Sequence, residues 1–76
     1  MTRYYFDFST RGQLLYDYRG DEFRTHQAAC QYAQAIALHL KHSLDDEWAS
    51  WFVEVRDPAG RKLLSIPVAS AELIAA

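Results

Sequence analysis

Residues 51–68 read WFVEVRDPAGRKLLSIPV and contain two strand patterns joined by a turn. Apolar and polar residues alternate on both sides of the turn, which is the period of a half-buried strand. Between them, Asp57-Pro58-Ala59-Gly60 has the residue preferences of a type I turn, with Asp first, Pro second and Gly last. The segment therefore predicts an antiparallel hairpin over residues 48–68.

Two further patterns precede this hairpin. Residues 3–23 begin with alternating aromatic residues, pass a turn at Gly12 and resume an apolar run, so they predict a first hairpin. From Thr25, the expected N-cap, the apolar period changes to 3.6 residues and predicts an amphipathic helix over residues 25–44. The apolar stripe of this helix consists of Ala29, Ala33, Ile36, Leu40 and Leu44.

The order of these elements predicts an α+β fold. Two hairpins on either side of one helix give the order ββαββ, with an antiparallel sheet of about four strands in two layers with the helix. Residues 69–76 form an apolar tail that is too short to be a stable helix by itself. Because no linker or repeat divides the chain, we expect residues 1–76 to form one domain.

The composition limits the classes of function. The chain has 76 residues and a formal net charge of −2, with only eight Lys and Arg. Proteins that mainly neutralise phosphate backbones need clustered basic residues, so this charge disfavours a nucleic-acid partner. Cys30 is the one cysteine, which favours a reducing compartment. No apolar run has the length of a signal peptide or a spanning helix, so we expect a cytoplasmic protein without a membrane partner.

The residues that carry chemistry do not form a recognisable site. On a helical wheel His39 lies about 60° from His42 but about 140° from His26, so surface histidines are favoured over a metal site. The acidic run 45–47 lacks the alternating ligands and glycine of a calcium loop. We therefore predict no catalytic, cofactor or metal residues, and a non-enzymatic protein.

Two carboxylates near the first hairpin are a further candidate site. Asp7 and Asp17 could face each other as a pair for acid–base chemistry. Nothing in the sequence indicates the raised pKa that such a pair needs, so a structural role is the preferred interpretation.

The sequence also predicts an apolar patch on the sheet face that does not meet the helix. Its apolar members are Tyr5, Phe52 and Leu63, and its rim consists of Arg3, Arg56 and Arg61. Leu38 is a smaller apolar exception on the polar side of the helix. Contiguous exposed apolar area usually marks a contact surface, although scattered exposed apolar residues are ordinary and the tail could cover the patch.

Two functions follow from this patch. The first is an interaction domain that forms a homodimer, or binds another protein, through the outer sheet face or an edge strand. The alternative is a nucleic-acid-associated or antitoxin-like regulator, in which the aromatic residues stack on bases and the arginines meet phosphates.

Several short motifs resemble a known family. They are Arg3-Tyr4-Tyr5-Phe6, Asp17, Gly20, Val53-x-Val55-x-Asp57-x-x-Gly60-Arg61 and Leu64-x-Ile66-Pro67. Together they resemble the DUF6894 family of short bacterial proteins, frequent in rhizobia and their relatives and without an assigned function. The resemblance covers nearly the whole chain and implies a fold and a bacterial origin, but no chemistry. A looser likeness, to antitoxins of the HicB type, rests on the strand pair that precedes an Ala-rich helix.

Overall fold

One helix packs on a five-stranded antiparallel sheet, so the α+β fold predicted from the sequence is confirmed. The computed structural model describes residues 1–43 and 45–72. The strands are β1 (Thr2–Thr10), β2 (Gln13–Leu15), β3 (Asp21–Phe23), β4 (Phe52–Arg56) and β5 (Lys62–Pro67). The helix α1 spans His26–Lys41, and short 3₁₀ helices span Asp46–Ser50 and Val68–Ser70.

The strand order is β2-β1-β4-β5, with β3 paired to the other end of β1 on the same side as β2. Phe8 of β1 lies opposite Leu15 of β2, and Tyr4 lies opposite Asp21 of β3. The long strand β1 therefore has two short partners along one side, and residues 16–20 connect them. The sheet therefore has five strands, whereas the sequence predicted about four.

The core lies between α1 and one face of the sheet. Three alanines at helical spacing, Ala29, Ala33 and Ala37, have no exposed surface. Their small side chains let the helix approach strands β4 and β5, whose core residues include Val53 and Ile66. No helix in the described part of the chain is long and apolar enough to cross a membrane.

The helix begins as predicted and ends earlier. The Thr25 hydroxyl accepts a hydrogen bond from the Ala28 N–H at 3.0 Å, which is an N-cap. At the other end the helix stops at Lys41, and His42 is its C-cap. The predicted end at Leu44, and the tail beyond Glu72, lie outside the described residues.

A bulge changes the pattern in the second hairpin. The turn forms as expected, with the Gly60 N–H donating to the Asp57 carbonyl at 3.0 Å. The pairing shifts between Val55 and Arg56, and this shift leaves Leu63 without a partner on β4. Leu63 and Leu64 both pack against the core. Strict alternation predicts Leu63 on the outer face. That placement is wrong, because the bulge turns the Leu63 side chain toward the core.

Candidate interaction surface

Arg56, the last residue of β4, lies on the outer sheet face beside Tyr5. Its Nε and Nη2 donate to the two carboxylate oxygens of Asp7, at 2.9 and 3.2 Å. The guanidinium carbon lies 4.5 Å from the ring centre of Tyr5 and 4.0 Å from that of Tyr16. A planar cation is thus paired with a carboxylate and also contacts two aromatic rings, an arrangement that suits Arg and not Lys.

Asp17 extends this cluster into the connection between β2 and β3. Its N–H donates to Asp7 Oδ1 at 2.8 Å, and its carbonyl accepts from Arg56 Nη2 at 2.9 Å. Its Oδ2 accepts from the Phe6 N–H at 3.0 Å. Phe6 lies between the parts of β1 that pair with β2 and β3, so the Asp17 carboxylate supplies an acceptor that no strand provides there.

The charge of Asp17 is stabilised where it lies. Burial by itself would raise the pKa of Asp17, but the N–H groups of Gly20, Phe6 and Arg19 and the charge of Arg56 lower the pKa below its usual value. The Asp7 hydrogen bond raises the pKa of Arg56. Asp17 therefore remains ionised at neutral pH and holds the chain in place, whereas a general acid would need a raised pKa.

Gly20 closes the connection against β1. Its φ of +67° lies in the region that favours glycine, and a Cβ built there would be 2.6 Å from the Tyr4 carbonyl oxygen. Only a residue without a side chain fits this close approach.

Exposed apolar side chains are concentrated in the segment that precedes Gly20. Exposure is 56% for Leu14, 50% for Leu15, 45% for Tyr16 and 87% for Tyr18. The rings of Tyr16 and Tyr18 lie 4.9 Å apart between centres. We call residues 13–18 the β2 edge, because no strand in the described part of the chain pairs with the outer side of β2.

An open apolar groove runs beside the β2 edge on the helix side. It has a volume of about 420 Å³ and is lined mainly by Phe6, Phe8, Leu15, Tyr32 and Ile36. The groove remains open because α1 packs mostly over β4 and β5, at the other side of the sheet. Leu15 therefore belongs both to the β2 edge and to this groove.

The apolar residues predicted for the contact surface do not come together. Tyr5 lies under Arg56, whereas Phe52 pairs with Ser9, four residues farther along β1 and so about 13 Å away. Leu63 and Leu38 both pack against the core. Of the four, Phe52 is the most exposed, at 39%.

The three predicted rim arginines are each engaged by other groups of the chain. Arg56 pairs with Asp7, and Arg61 pairs with Asp57 at 2.9 Å. Arg3 donates to the Arg19 carbonyl at 2.8 Å and pairs with Glu22 at 3.4 Å. The arginines hold turns and strands in place and do not form a continuous basic rim.

The sequence contained a signal for the β2 edge that periodicity alone did not identify. Residues 14–16 are consecutive apolar residues without alternation, in a strand that carries no charge. A short uncharged strand after a tight turn is an edge without protection.

Among the described residues no three His, Cys, Asp or Glu side chains lie close enough to hold a metal ion.

Comparison with known proteins gives a family. A family model described as a domain of unknown function, DUF6894, matches residues 3–69. No curated protein and no solved structure matches the chain. The match includes every motif that suggested the resemblance, although it does not support the rhizobial origin that the resemblance implied. The chain therefore belongs to the DUF6894 family.

Proposed function

We propose that this chain is a non-enzymatic interaction domain that associates with a second copy by strand addition at the β2 edge. The observation that carries the proposal is the exposure of Leu14, Leu15, Tyr16 and Tyr18 at an unprotected edge. Edge strands offer unpaired N–H and C=O groups to other chains, and apolar area beside them adds to the affinity.

The other edges of the sheet are less suited to this role. β3 carries Asp21 and Glu22. β5 begins at Lys62, contains the bulge and ends at Pro67. Charges, bulges and prolines are the devices with which proteins prevent edge pairing, and β2 has none of them.

The backbone of β2 supports the same surface. Thr10 and Gln13 close a hairpin with a two-residue loop, so they exchange hydrogen bonds and the next pair, Ser9 and Leu14, does not. The N–H and C=O of Leu14 consequently point away from β1. A further strand would find both groups free to pair.

The nucleic-acid alternative has less support. The chain has a net charge of −2, and the three arginines that would meet phosphates are engaged as described above. Freeing Arg56 for a phosphate would leave the buried Asp7 carboxylate without its partner, which is costly. A cytoplasmic location is part of our proposal, because Cys30 is a free thiol and free thiols are typical of a reducing compartment.

The test uses two substitutions at one position. Leu14→Pro removes the outward N–H that β1 does not use, and Pro is tolerated on an edge strand. Leu14→Val keeps the N–H and most of the apolar area. We expect light scattering behind a sizing column to show a dimer for the native chain and for Leu14→Val, at low and high salt, and a folded monomer for Leu14→Pro.

Two results would contradict the proposal. One is a native chain that stays monomeric up to millimolar concentration. The other is a dimer that survives Leu14→Pro and is split by Phe52→Arg, because that result would place the contact on the outer sheet face. Circular dichroism of each variant controls for unfolding.

A further inference from the structure

The sequence around β2 is complementary to itself in charge. Arg11 lies three residues before Leu14, and Asp17 lies three residues after it. Consider two identical strands that pair antiparallel about a twofold axis at Leu14. A residue a given number of positions before Leu14 in one copy then faces the residue that lies the same number of positions after Leu14 in the other copy. Arg11 of each copy then faces Asp17 of the other copy, and this pair forms twice.

Arg11 lies in the turn before β2, and Asp17 lies just after the strand. Arg11 is exposed and forms no ion pair with any residue that the structure describes. Asp17 lines the open groove beside β2, and its carboxylate is fixed there by hydrogen bonds from the N–H groups of Phe6, Arg19 and Gly20. A flexible cation in the turn can therefore reach a carboxylate that is already oriented.

A shift of the axis by one residue loses this match. With the axis at Leu15, Arg11 faces Arg19 of the other copy, and Asp17 faces Gln13. Like charges that face each other across an antiparallel pair destabilise it. The backbone permits both arrangements, because the outward N–H and C=O of Leu14 meet Leu14 of the other copy in the first and Tyr16 in the second, so the charges select between them.

The groove beside β2 fits the same arrangement. Leu15 faces the helix side, as does its partner on β1, Phe8. With the axis at Leu14, Leu15 of each copy lies opposite Gln13 of the other, and the two grooves adjoin across the axis. The second copy thus covers the apolar surface of the groove, including Leu15 of β2 and Ile36 of α1.

We infer that a second copy of this chain binds the β2 edge antiparallel, about a twofold axis at Leu14, with Arg11 of each copy facing Asp17 of the other. The sheet then continues through both copies. Because the contact uses the same surface on each, the assembly closes as a dimer. The inference rests on the self-association proposed above and adds its partner arrangement.

Charge reversal tests the arrangement by the sign of the effect. Arg11→Glu places a carboxylate opposite Asp17, and we expect the dimer dissociation constant to rise on the order of tenfold at low salt, with a smaller change at high salt. The matched control, Arg19→Glu, should change it less than about twofold. If Arg11→Glu instead tightens the dimer, the axis lies at Leu15 and the inference is wrong.

Disulfide formation tests the distance directly, in a Cys30→Ser chain. With the axis at Leu14, two Leu14→Cys residues have Cα atoms about 5.5 Å apart, whereas two Leu15→Cys residues are about 8 Å apart, beyond disulfide reach. We expect oxidation to link Leu14→Cys only. Linkage at Leu15→Cys alone, or at neither position in a chain that still dimerises through β2, overturns the arrangement. A monomeric native chain would instead overturn the proposed function itself.

Discussion

The two outer edges of the sheet differ in how they are built. At the β5 edge, Lys62 forms an ion pair with Glu54 at 2.9 Å and is 62% exposed, and Pro67 ends the strand. At the β2 edge Leu14, Leu15, Tyr16 and Tyr18 are exposed, and the ion pair of Asp7 and Arg56 lies beneath Tyr16. The β5 edge is thus protected at its surface, whereas the β2 edge is anchored from its interior.

This difference bears on how the β2 edge could serve as a contact surface. A strand of three exposed residues, Gln13–Leu15, buries too little to hold its own position. The cluster of Asp7, Arg56 and Asp17 fixes the chain immediately after the strand. A surface that is held in one conformation loses less entropy on binding, so the buried charges prepare the apolar edge for a partner.

The largest effect should come from breaking that anchor. Arg56→Met keeps the side-chain stem against Tyr5 and Tyr16 but leaves Asp7, whose side chain is 8% exposed, without its cation. An unpaired buried charge costs about 3–5 kcal/mol. A chain of this length has a stability of about 4–11 kcal/mol, so the variant should lose a large part of its stability and its midpoint of urea unfolding should fall accordingly.

The matched control lies at the other edge. Lys62→Met removes the cation from an ion pair of the same length in which the lysine is exposed and Glu54, although 12% exposed, keeps its hydrogen bond from the Ser65 hydroxyl, so we expect a smaller loss of about 1–2 kcal/mol. Equal losses for Arg56→Met and Lys62→Met would show that the two edges are not held differently. A double variant, Asp7→Leu with Arg56→Met, should be more stable than Arg56→Met alone.

Gly20→Ala should have the next largest effect. The added Cβ meets the Tyr4 carbonyl at 2.6 Å in a backbone with φ of +67°, so we expect a loss of about 2–3 kcal/mol. Gly12→Ala is the control, because Gly12 has a φ of +79° and open space around it. Its loss should be about 1 kcal/mol. Thermal unfolding of both variants measures the difference, and equal midpoints would contradict the close approach at Gly20.

The local elements of the fold could be predicted from sequence. The N-cap at Thr25 and the turn over residues 57–60 are properties of neighbouring residues, and both are present. The bulge at Leu63 could not be predicted, because it depends on how β4 and β5 pair and not on either strand alone. β3 pairs with the start of β1 across most of the first hairpin, and its short sequence gave only a weak signal.

The candidate site was harder to predict for the same reason. Arg56 and Asp7 lie 49 residues apart, and no local pattern indicates that they meet. Once paired, Arg56 is no longer available for the rim to which the sequence had assigned it. The exposed apolar surface therefore lies at the β2 edge, which alternation did not identify, and not at the center of the outer face.

Asp17→Asn should have a moderate effect that depends on pH. The new amide group must place its NH₂ against the Phe6 or Gly20 N–H, so we expect a loss of about 1–2 kcal/mol at pH 7. Because the folded chain lowers the pKa of Asp17, its stabilising contribution is complete above about pH 4–5 and is lost as the pH falls through the lower folded value.

Unfolding measured between pH 7 and pH 2.5 should therefore show the native chain and Asp17→Asn converging in acid. The control is Asp21→Asn, which changes an exposed carboxyl group four residues after Asp17. It should change stability by less than about 0.5 kcal/mol over the whole pH range. A difference between native and Asp17→Asn that stays constant over this pH range would contradict the role of the Asp17 charge.

The smallest effect on stability, and the most direct test of the comparison, comes from exchanging the protective devices. Gln13→Lys gives the β2 edge a charge of the kind that β5 has. We expect stability within about 0.5 kcal/mol of the native value and weaker self-association, because edge lysines disfavour strand addition. Sedimentation over a range of concentrations measures both the mass and the affinity.

Pro67→Val does the reverse at β5. The Val68 N–H donates inward to the Trp51 carbonyl at 2.9 Å, so the nitrogen of Pro67, one residue earlier, faces the outer edge. Valine there supplies the outward donor that proline lacks. With two open edges on each chain, association no longer closes at two copies, and the mean mass should rise with concentration beyond a dimer. A mass that stays at the dimer value would mean that Lys62 and the bulge are sufficient to protect this edge without Pro67.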